Sequence, residues 1–225
     1  SNNLGLIIDF VPNHMSTDPE CNQWWRSVLL SGSSSPYARF FDIDWDPLKD
    51  ELRDKVLLPI LGGTYGDTLQ NNELKVINSE EPSLQYYETN LPLLMGEKKV
   101  PESALELHRL LESQHYRLSY WRTALHEINY RRFFDVNSLV GLRVEDPVVF
   151  DAVHEFVLSL IQHEEVRGIR LDHIDGLFDP AAYLERLIEK IGNDQHYIVV
   201  EKILSNDEAL PDDWKIQGTT GYDFL

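Results

Sequence analysis

The chain has 225 residues, enough for one domain with a substantial core, and its 38 acidic and 20 basic side chains give a formal charge of −18. A negative charge of this size repels phosphate backbones and anionic lipid, so we expect neither nucleic acid nor a membrane as a partner. The single Cys21 excludes an internal disulfide, and no apolar run approaches the roughly 18–20 residues that span a bilayer. Because the chain also starts without the pattern of a secretory signal, we expect a cytoplasmic protein.

The first predicted element is a short strand. Leu4 to Phe10 is an apolar run with the length of a buried parallel strand, and Pro12 ends it. Polar residues cluster at this point, namely Asp9, Asn13 and His14. Residues 1–14 are therefore predicted to be one strand of a parallel sheet, with a polar loop at its carboxyl end.

Residues 15–144 are predicted to form a long excursion of mixed helical and β structure. Its glycine cluster, Gly62 to Gly66, is interpreted as a turn that no helix follows. The predicted helices are an amphipathic segment around Gln23 to Leu30, then Leu48 to Lys55, Pro101 to Glu112 and Ser119 to Arg131. The predicted strands are Val56 to Leu61 and the paired Glu73 to Ile77 and Leu84 to Glu88.

Residues 145–225 alternate between helices and strands. Asp146-Pro147 and Asp179-Pro180 each combine a helix cap with a first-turn proline, and Gly192 is typical of a helix end. The face of the first helix that we expect to be buried comprises Val149, Val153, Phe156, Val157, Leu160 and Ile161. Strands are predicted at Gly168 to Leu171 and at Tyr197 to Lys202. The order strand, excursion, helix, strand, helix, strand is typical of an α/β fold with a parallel sheet.

Acidic residues lie at the ends of both later strands. Asp172 follows the first of them and Glu201 ends the second. Because side chains alternate along a strand, Arg170 and Asp172 share a face, and the guanidinium favours the ionised carboxylate. Two carboxylates at the ends of neighbouring parallel strands could be the nucleophile and the acid of a retaining glycosidase. An acid at a strand end is otherwise more often a helix cap or an ion-pair partner.

Three segments resemble signature blocks of the α-amylase superfamily of glycoside hydrolases: D-F-V-P-N-H (9–14), G-I-R-L-D-H (168–173) and V-V-E-K (199–202). The resemblance implies a partial (β/α)₈ barrel with about three central strands, the third, fourth and fifth of the family's eight. The excursion takes the place of the family's inserted B domain. The fourth block, whose Asp stabilises the transition state, is expected beyond Leu225.

The same resemblance assigns roles to individual residues. Asp172 would be the nucleophile, Glu201 the general acid and base, and Arg170 the group that holds and ionises Asp172. His14 and His173 would contact the sugar. Asp9 and Asn13 would give these residues structural support. We expect neither a cofactor nor a metal, because the acidic run Asp42-x-Asp44-x-Asp46 lacks the glycine and the glutamate of a calcium loop.

Longer sequence segments indicate which branch of the superfamily the chain resembles. F-D-I-D-W (41–45), L-P-I-L-G-G-T-Y-G (58–66), Y-W-R-T-A-L-H-E-I-N-Y-R-R-F-F-D-V-N (120–137) and T-T-G-Y-D-F (219–224) are similar to one branch of the superfamily. That branch converts the reducing-end α-1,4 link of a malto-oligosaccharide into an α,α-1,1 (trehalosyl) link. A hydrolase of malto-oligosaccharides or of trehalose-ended ones, on the same scaffold, is one alternative. The other is a non-catalytic carbohydrate-binding or assembly module.

The expected partner is thus a malto-oligosaccharide. The 225 residues by themselves are expected to be inactive, because strands and the third carboxylate of the family's barrel are missing from them. Three parallel strands out of eight also leave open sheet edges, so these 225 residues are expected to associate with a copy of themselves.

Overall fold

The computed structural model describes residues 4–96, 99–192, 196–205 and 207–221. The motif residues Tyr222 to Phe224 lie outside this set. Contacts divide the chain into two compact units, one of Ser1–His14 with Leu142–Leu225 and one of Met15–Gly141. Within the described ranges, no helix combines the length and the apolar character needed to cross a membrane.

Strands and helices alternate irregularly along the chain. The strands are β1 (Leu6–Phe10), β2 (His14–Ser16), β3 (Val56–Leu61), β4 (Leu74–Ile77), β5 (Ser83–Tyr86), β6 (Thr89–Pro92), β7 (Tyr116–Tyr120), β8 (Arg132–Phe133), β9 (Val136–Gly141), β10 (Val166–Leu171), β11 (Tyr197–Val200) and β12 (Gly218–Thr219). The α-helices are α1 (Gln23–Ser31), α2 (Tyr65–Gln70), α3 (Ala104–Glu112), α4 (Ala124–Glu127), α5 (Pro147–Ile161) and α6 (Pro180–Ile191).

The first unit is built on a four-stranded sheet in the order β1-β10-β11-β12. All three strand pairs are parallel, so their carboxyl ends lie along one edge. The predicted strands correspond to β1, β10 and β11, and the mixed α/β class is confirmed. The two-residue β12 was not predicted, because a strand of that length carries no detectable side-chain periodicity.

Helices α5 and α6 begin where the sequence predicts. The side chain of Asp146 accepts a hydrogen bond from the Val148 backbone nitrogen at 2.9 Å, and that of Asp179 accepts one from Ala182 at 3.0 Å. Each cap is followed by proline at the first helical position. Gly192 ends α6 with φ of 76°, a left-handed conformation in which a glycine is not strained.

The buried face of α5 differs from the prediction. Phe156, expected inside, is 72% exposed, whereas Phe150 and His154 are fully buried. The buried positions Phe150, His154, Val157 and Ile161 follow the helical period, but one of them is a polar side chain. The face of α5 predicted from apolar residue types alone is therefore rotated about the helix axis relative to the face that is buried in the structure.

His154 is buried because both of its ring nitrogens have partners. Nδ1 lies 2.7 Å from the Phe150 carbonyl oxygen and therefore donates its proton, which leaves Nε2 to accept a hydrogen bond from the Tyr183 hydroxyl at 2.7 Å. The ring stacks on Phe150 with centroids 3.8 Å apart. Burial lowers the pKa of His154 to about 4.

Acid is expected to destabilise the first unit through His154. The unfolded histidine takes up a proton near its ordinary pKa of 6.5, and the folded one only near 4, so between these values the unfolded state binds more protons. The stabilisation is fully present above pH 6.5 and is lost as the pH falls toward 4, by about 3 kcal/mol. Thermal midpoints of the complete protein at pH 7 and pH 5 measure this loss. His154→Gln, which cannot titrate, should show a weaker pH dependence, and an equal dependence in both proteins would contradict the assignment.

The second unit holds three small sheets. Strands β3 and β7 form a parallel pair, β4-β5-β6 is an antiparallel meander, and the third sheet has the order β2-β9-β8. The predicted strand at 56–61 and the predicted pairing of 73–77 with 84–88 are confirmed, as β3 and as β4 with β5. The predicted helices near 23–30 and 101–112 correspond to α1 and α3.

Three predictions for this unit are wrong. Residues 48–55 contain only a 3₁₀ turn at Asp50–Leu52 instead of a helix. A helix does begin within the glycine cluster, because Thr64 caps α2 by accepting from the Asp67 backbone nitrogen. The segment 119–131 is not one helix, since β7 extends to Tyr120, a 3₁₀ turn at Trp121–Thr123 follows, and the one-turn α4 ends at Glu127. At the start of that segment, strand pairing with β3 overrides the local helical pattern.

Candidate functional site

Polar side chains gather at the carboxyl edge of the parallel sheet in the first unit. The register pairs Asp9 with Arg170 across β1 and β10, and Leu171 with Val200 across β10 and β11. The ladder continues past the strand ends, where the Asp172 backbone nitrogen donates to Phe10 at 2.9 Å and that of Glu201 donates to Leu171 at 2.7 Å. Backbone pairing thus brings the two predicted catalytic acids to adjacent positions on one edge.

Arg170 links three segments at this edge. Its Nη1 lies 2.7 Å from Oδ1 of Asp9 and 2.8 Å from Oδ1 of Asp172, and its Nε donates to the Thr220 hydroxyl at 3.0 Å. These interactions, the hydrogen bond to Asp9 foremost, raise the pKa of Arg170 above its ordinary value. Asp172 is half-buried, and the permanently charged guanidinium of Arg170 lies directly beside its carboxylate. Thr220 was missed in the sequence analysis, because its position depends on the pairing of β12 with β11.

Glu201 is oriented by a backbone group of the neighbouring segment. Its Oε2 accepts a hydrogen bond at 3.1 Å from the backbone nitrogen of His173, the residue directly after Asp172. His173 has φ of 54° and ψ of 47°, a left-handed conformation that is uncommon for a residue with a side chain. This conformation accompanies a change of direction just after the strand, so the backbone N–H of His173 points to the carboxylate of the next strand.

Gly176 makes room for the groups around His173. A Cβ at this position would lie 2.3 Å from Cδ2 and 2.5 Å from Nε2 of the His173 ring, and 2.8 Å from Oδ1 of Asn13. Any larger residue would therefore displace the imidazole or the amide. Gly176 could not be predicted as part of the site, since a glycine in a loop carries no signal of such a close approach.

The two predicted sugar-contacting histidines lie together. The rings of His14 and His173 are 6.5 Å apart at an angle of 67°. Asn13 is 1% exposed, its side-chain nitrogen lies 3.3 Å from Nδ1 of His14, and its carbonyl oxygen accepts from Leu142 at 2.9 Å. All seven residues singled out by the sequence, namely Asp9, Asn13, His14, Arg170, Asp172, His173 and Glu201, are thus in the same unit.

This arrangement has the parts that acid-assisted nucleophilic chemistry requires. One carboxylate is held by a guanidinium, a second is held by a backbone N–H, and the rings of two histidines lie 6.5 Å apart in the same unit. Among the residues that the structure describes, no three His, Cys, Asp or Glu side chains cluster as a metal site would require. The separation of the two carboxyl groups, expected at roughly 5–6 Å for a retaining glycosidase, stays a prediction.

Comparison with known proteins shows which solved structures the whole chain resembles. No protein-family model matches the chain. The structure resembles the maltooligosyltrehalose synthase of Arthrobacter ramosus, with 41% identity and a TM-score of 0.83 over 98% of this chain and 27% of that one. It also resembles a protein described as DSM5389 glycosyltrehalose synthase, with 35% identity and a TM-score of 0.84 over 99% of this chain and 30% of that one. A debranching enzyme of Nostoc punctiforme has a TM-score of 0.55 at 16% identity, which is a likeness of fold alone.

The solved structures that resemble the chain at 35–41% identity are described as maltooligosyltrehalose or glycosyltrehalose synthases. The chain is also homologous over its whole length to proteins named maltooligosyl trehalose synthase, which confirms the resemblance inferred from the motifs. The relatives from two strains of Mycobacterium tuberculosis, both called putative, are 42% identical over 227 residues. The chain spans only 27% of their length.

Proposed function

We propose that the complete protein containing this segment converts the reducing-end α-1,4 link of malto-oligosaccharides into an α,α-1,1 link. The observation that carries this proposal is the pair of adjacent acids at one sheet edge, one ion-paired to Arg170 and the other bonded to the His173 backbone. The 42% identity to relatives named for the synthesis of maltooligosyl trehalose supports the choice of substrate and product.

The reaction would proceed in two displacements. Glu201 donates a proton to the glycosidic oxygen while the Asp172 carboxylate attacks C1, which forms a glycosyl ester and releases the reducing-end glucose. The Glu201 carboxylate then accepts the proton of the anomeric hydroxyl of that glucose, whose oxygen attacks C1 and displaces Asp172. The two inversions restore the α configuration, and the product is an isomer of the substrate.

The sheet would be part of a (β/α)₈ barrel. Four parallel strands in one sheet, with α6 connecting β10 to β11, support this architecture. In such barrels the catalytic groups lie at the carboxyl ends of the strands, which is where Asp172 and Glu201 lie. His14 and His173 would contact the sugar at the point of cleavage, and Asp9 and Asn13 would support them. The third carboxylate, which would stabilise the transition state, is expected outside these 225 residues.

Product analysis with the complete protein tests the proposal. Incubation with maltopentaose should remove reducing ends without releasing free glucose, because the isomerised product has no reducing end. An increase in reducing ends would instead identify a hydrolase of malto-oligosaccharides, and release of trehalose from a trehalose-ended oligosaccharide, supplied in a parallel incubation, would identify a hydrolase of that substrate. No change in the sugar would indicate a non-catalytic binding or assembly module. The 225 residues alone are expected to leave maltopentaose unchanged.

Self-association of the 225 residues also stays a prediction. The outer strand β1 exposes Leu6 and Ile7, and Phe156 on α5 and Phe178 are exposed as well. Such apolar surface next to an open strand edge favours pairing with a second copy. Size-exclusion chromatography with light scattering should give a mass above that of one chain, and a monodisperse monomer would contradict the prediction. The cytoplasmic location, inferred from the lone Cys21, is likewise a prediction.

A further inference from the structure

A nearly buried lysine lies directly after the proposed general acid. The Lys202 ammonium is 3.2 Å from Oδ1 of Asp175 and 2.7 Å from Oε1 of Glu208, and only 13% of its side chain is exposed. These partners, the hydrogen bond with Glu208 foremost, raise the pKa of Lys202, and the lysine in turn lowers the pKa of Glu208. Lys202 and Glu208 are therefore both charged at neutral pH. We refer to Lys202, Asp175 and Glu208 as the lysine bridge.

The lysine bridge joins the two segments that carry the proposed catalytic acids. Asp175 lies three residues after Asp172, in the 3₁₀ turn Ile174–Gly176, and Lys202 immediately follows Glu201. Beyond the last strand pair, two side-chain interactions span the two segments, namely the bond from the His173 nitrogen to Glu201 and the ion pair between Lys202 and Asp175. Both interactions restrict how far the two acids can move relative to each other.

The confinement of Lys202 distinguishes it from an ordinary surface ion pair. Lys190 pairs with Asp151 at 2.7 Å with about half of each side chain exposed, and such pairs contribute little. In the pair of Lys202 with Asp175 the carboxylate is also about half exposed, but the lysine is mostly enclosed. The backbone of Lys202 is confined as well, because a Cβ at Gly221 would lie 2.5 Å from its carbonyl oxygen.

We propose that Lys202 is a positioning residue: by bridging to Asp175 it fixes the segment of Glu201 against the segment of Asp172. The proposal rests on the proposed function. Glu208 belongs to the same segment as Lys202, so it holds the lysine without joining the two acids. The bridge to Asp175 is thus the part that should matter for catalysis. An error of about 1 Å in the placement of catalytic groups can cost about 100-fold in rate.

Three single variants of the complete protein, one double variant and one control test the proposal with maltopentaose as substrate. Lys202→Met and Asp175→Asn should each lower kcat by about 10–100-fold with KM changed less than about threefold, since the ground-state contacts to the sugar remain. Glu208→Gln should lower kcat less than about threefold. The double variant of Lys202 and Asp175 should be no slower than either single variant, because both remove the same link. Lys190→Met is the matched control and should retain full activity.

Several results would overturn the proposal. These are an unchanged kcat in Asp175→Asn, a rise in KM without a fall in kcat in Lys202→Met, or additive losses in the double variant. If Lys202→Met fails to fold, Asp175→Asn alone decides. The proposed function fails separately if no non-reducing product forms or if Asp172→Asn is fully active. A normal product pattern with an inactive Asp172→Asn and a fully active Asp175→Asn would reject the lysine bridge alone.

Discussion

Asp172→Asn in the complete protein is expected to lower the turnover of malto-oligosaccharides by about 10⁴-fold or more. Asparagine has nearly the shape of aspartate and can keep one contact to Arg170, whose Nη1 lies 2.8 Å from the present Oδ1. It carries no charge, however, and cannot form the glycosyl ester that a retaining displacement requires. Initial rates with maltopentaose, followed as loss of reducing ends, measure the effect.

Asp179→Asn is the matched control for this variant. Asp179 is in the same loop region but caps α6, with Oδ1 3.0 Å from the Ala182 nitrogen. Asparagine is also a good cap, so activity and thermal midpoint should change little. If Asp172→Asn keeps the activity of the Asp179→Asn protein, the nucleophile lies elsewhere and the proposed mechanism is wrong.

The elements of the first unit could be predicted because their signals are local. A cap followed by proline opens both α5 and α6, and apolar runs mark β1, β10 and β11. The buried face of α5 could not be predicted in the same way. His154 is inside only because the Phe150 carbonyl and the Tyr183 hydroxyl satisfy its ring, and Tyr183 is 29 residues away.

Long-range strand pairing explains one of the wrong predictions in the second unit, and an overlooked helix cap explains another. The segment 119–131 has the composition of a helix, but its first residues extend β7, which pairs with β3 about 60 residues earlier. The helix α2 was missed because the cluster Gly62 to Gly66, in which it begins, was interpreted as a turn. Thr64 is the cap, and a threonine three residues before Asp67 was the available signal.

The residues of the candidate site could be predicted from the sequence, but most of the hydrogen bonds and ion pairs between them could not. Alternation along a strand places Arg170 beside Asp172, and the ion pair at 2.8 Å agrees with it. The contact from Arg170 to Asp9 depends on the register of β1 against β10, which no local pattern specifies. The bond from the His173 nitrogen to Glu201 needs a left-handed residue with a side chain, a conformation that the sequence disfavours. Such a conformation at a cluster of charged groups is typical of a functional site.

Glu201→Gln in the complete protein is expected to slow the conversion of malto-oligosaccharides by about 10³-fold, within the range of a lost general acid. Glutamine can still accept a hydrogen bond from the His173 nitrogen, now 3.1 Å from Oε2, so the loop geometry should be kept. What it cannot do is protonate the glycosidic oxygen or later accept the proton of the incoming hydroxyl. Initial rates with maltopentaose, compared with those of Glu189→Gln on the exposed side of α6, measure the loss.

A substrate whose leaving group needs no protonation distinguishes the role of Glu201 from that of Asp172. Fluoride leaves a glycosyl fluoride without a strong acid, so the first displacement on α-maltosyl fluoride should be much less impaired in Glu201→Gln than the same step on maltopentaose. Asp172→Asn should remain inactive on both substrates, because the ester cannot form with either. Fluoride release in a single turnover reports this step directly. Equal losses of Glu201→Gln on the two substrates would contradict its role as the acid, because a proton donor matters only where the leaving group needs a proton.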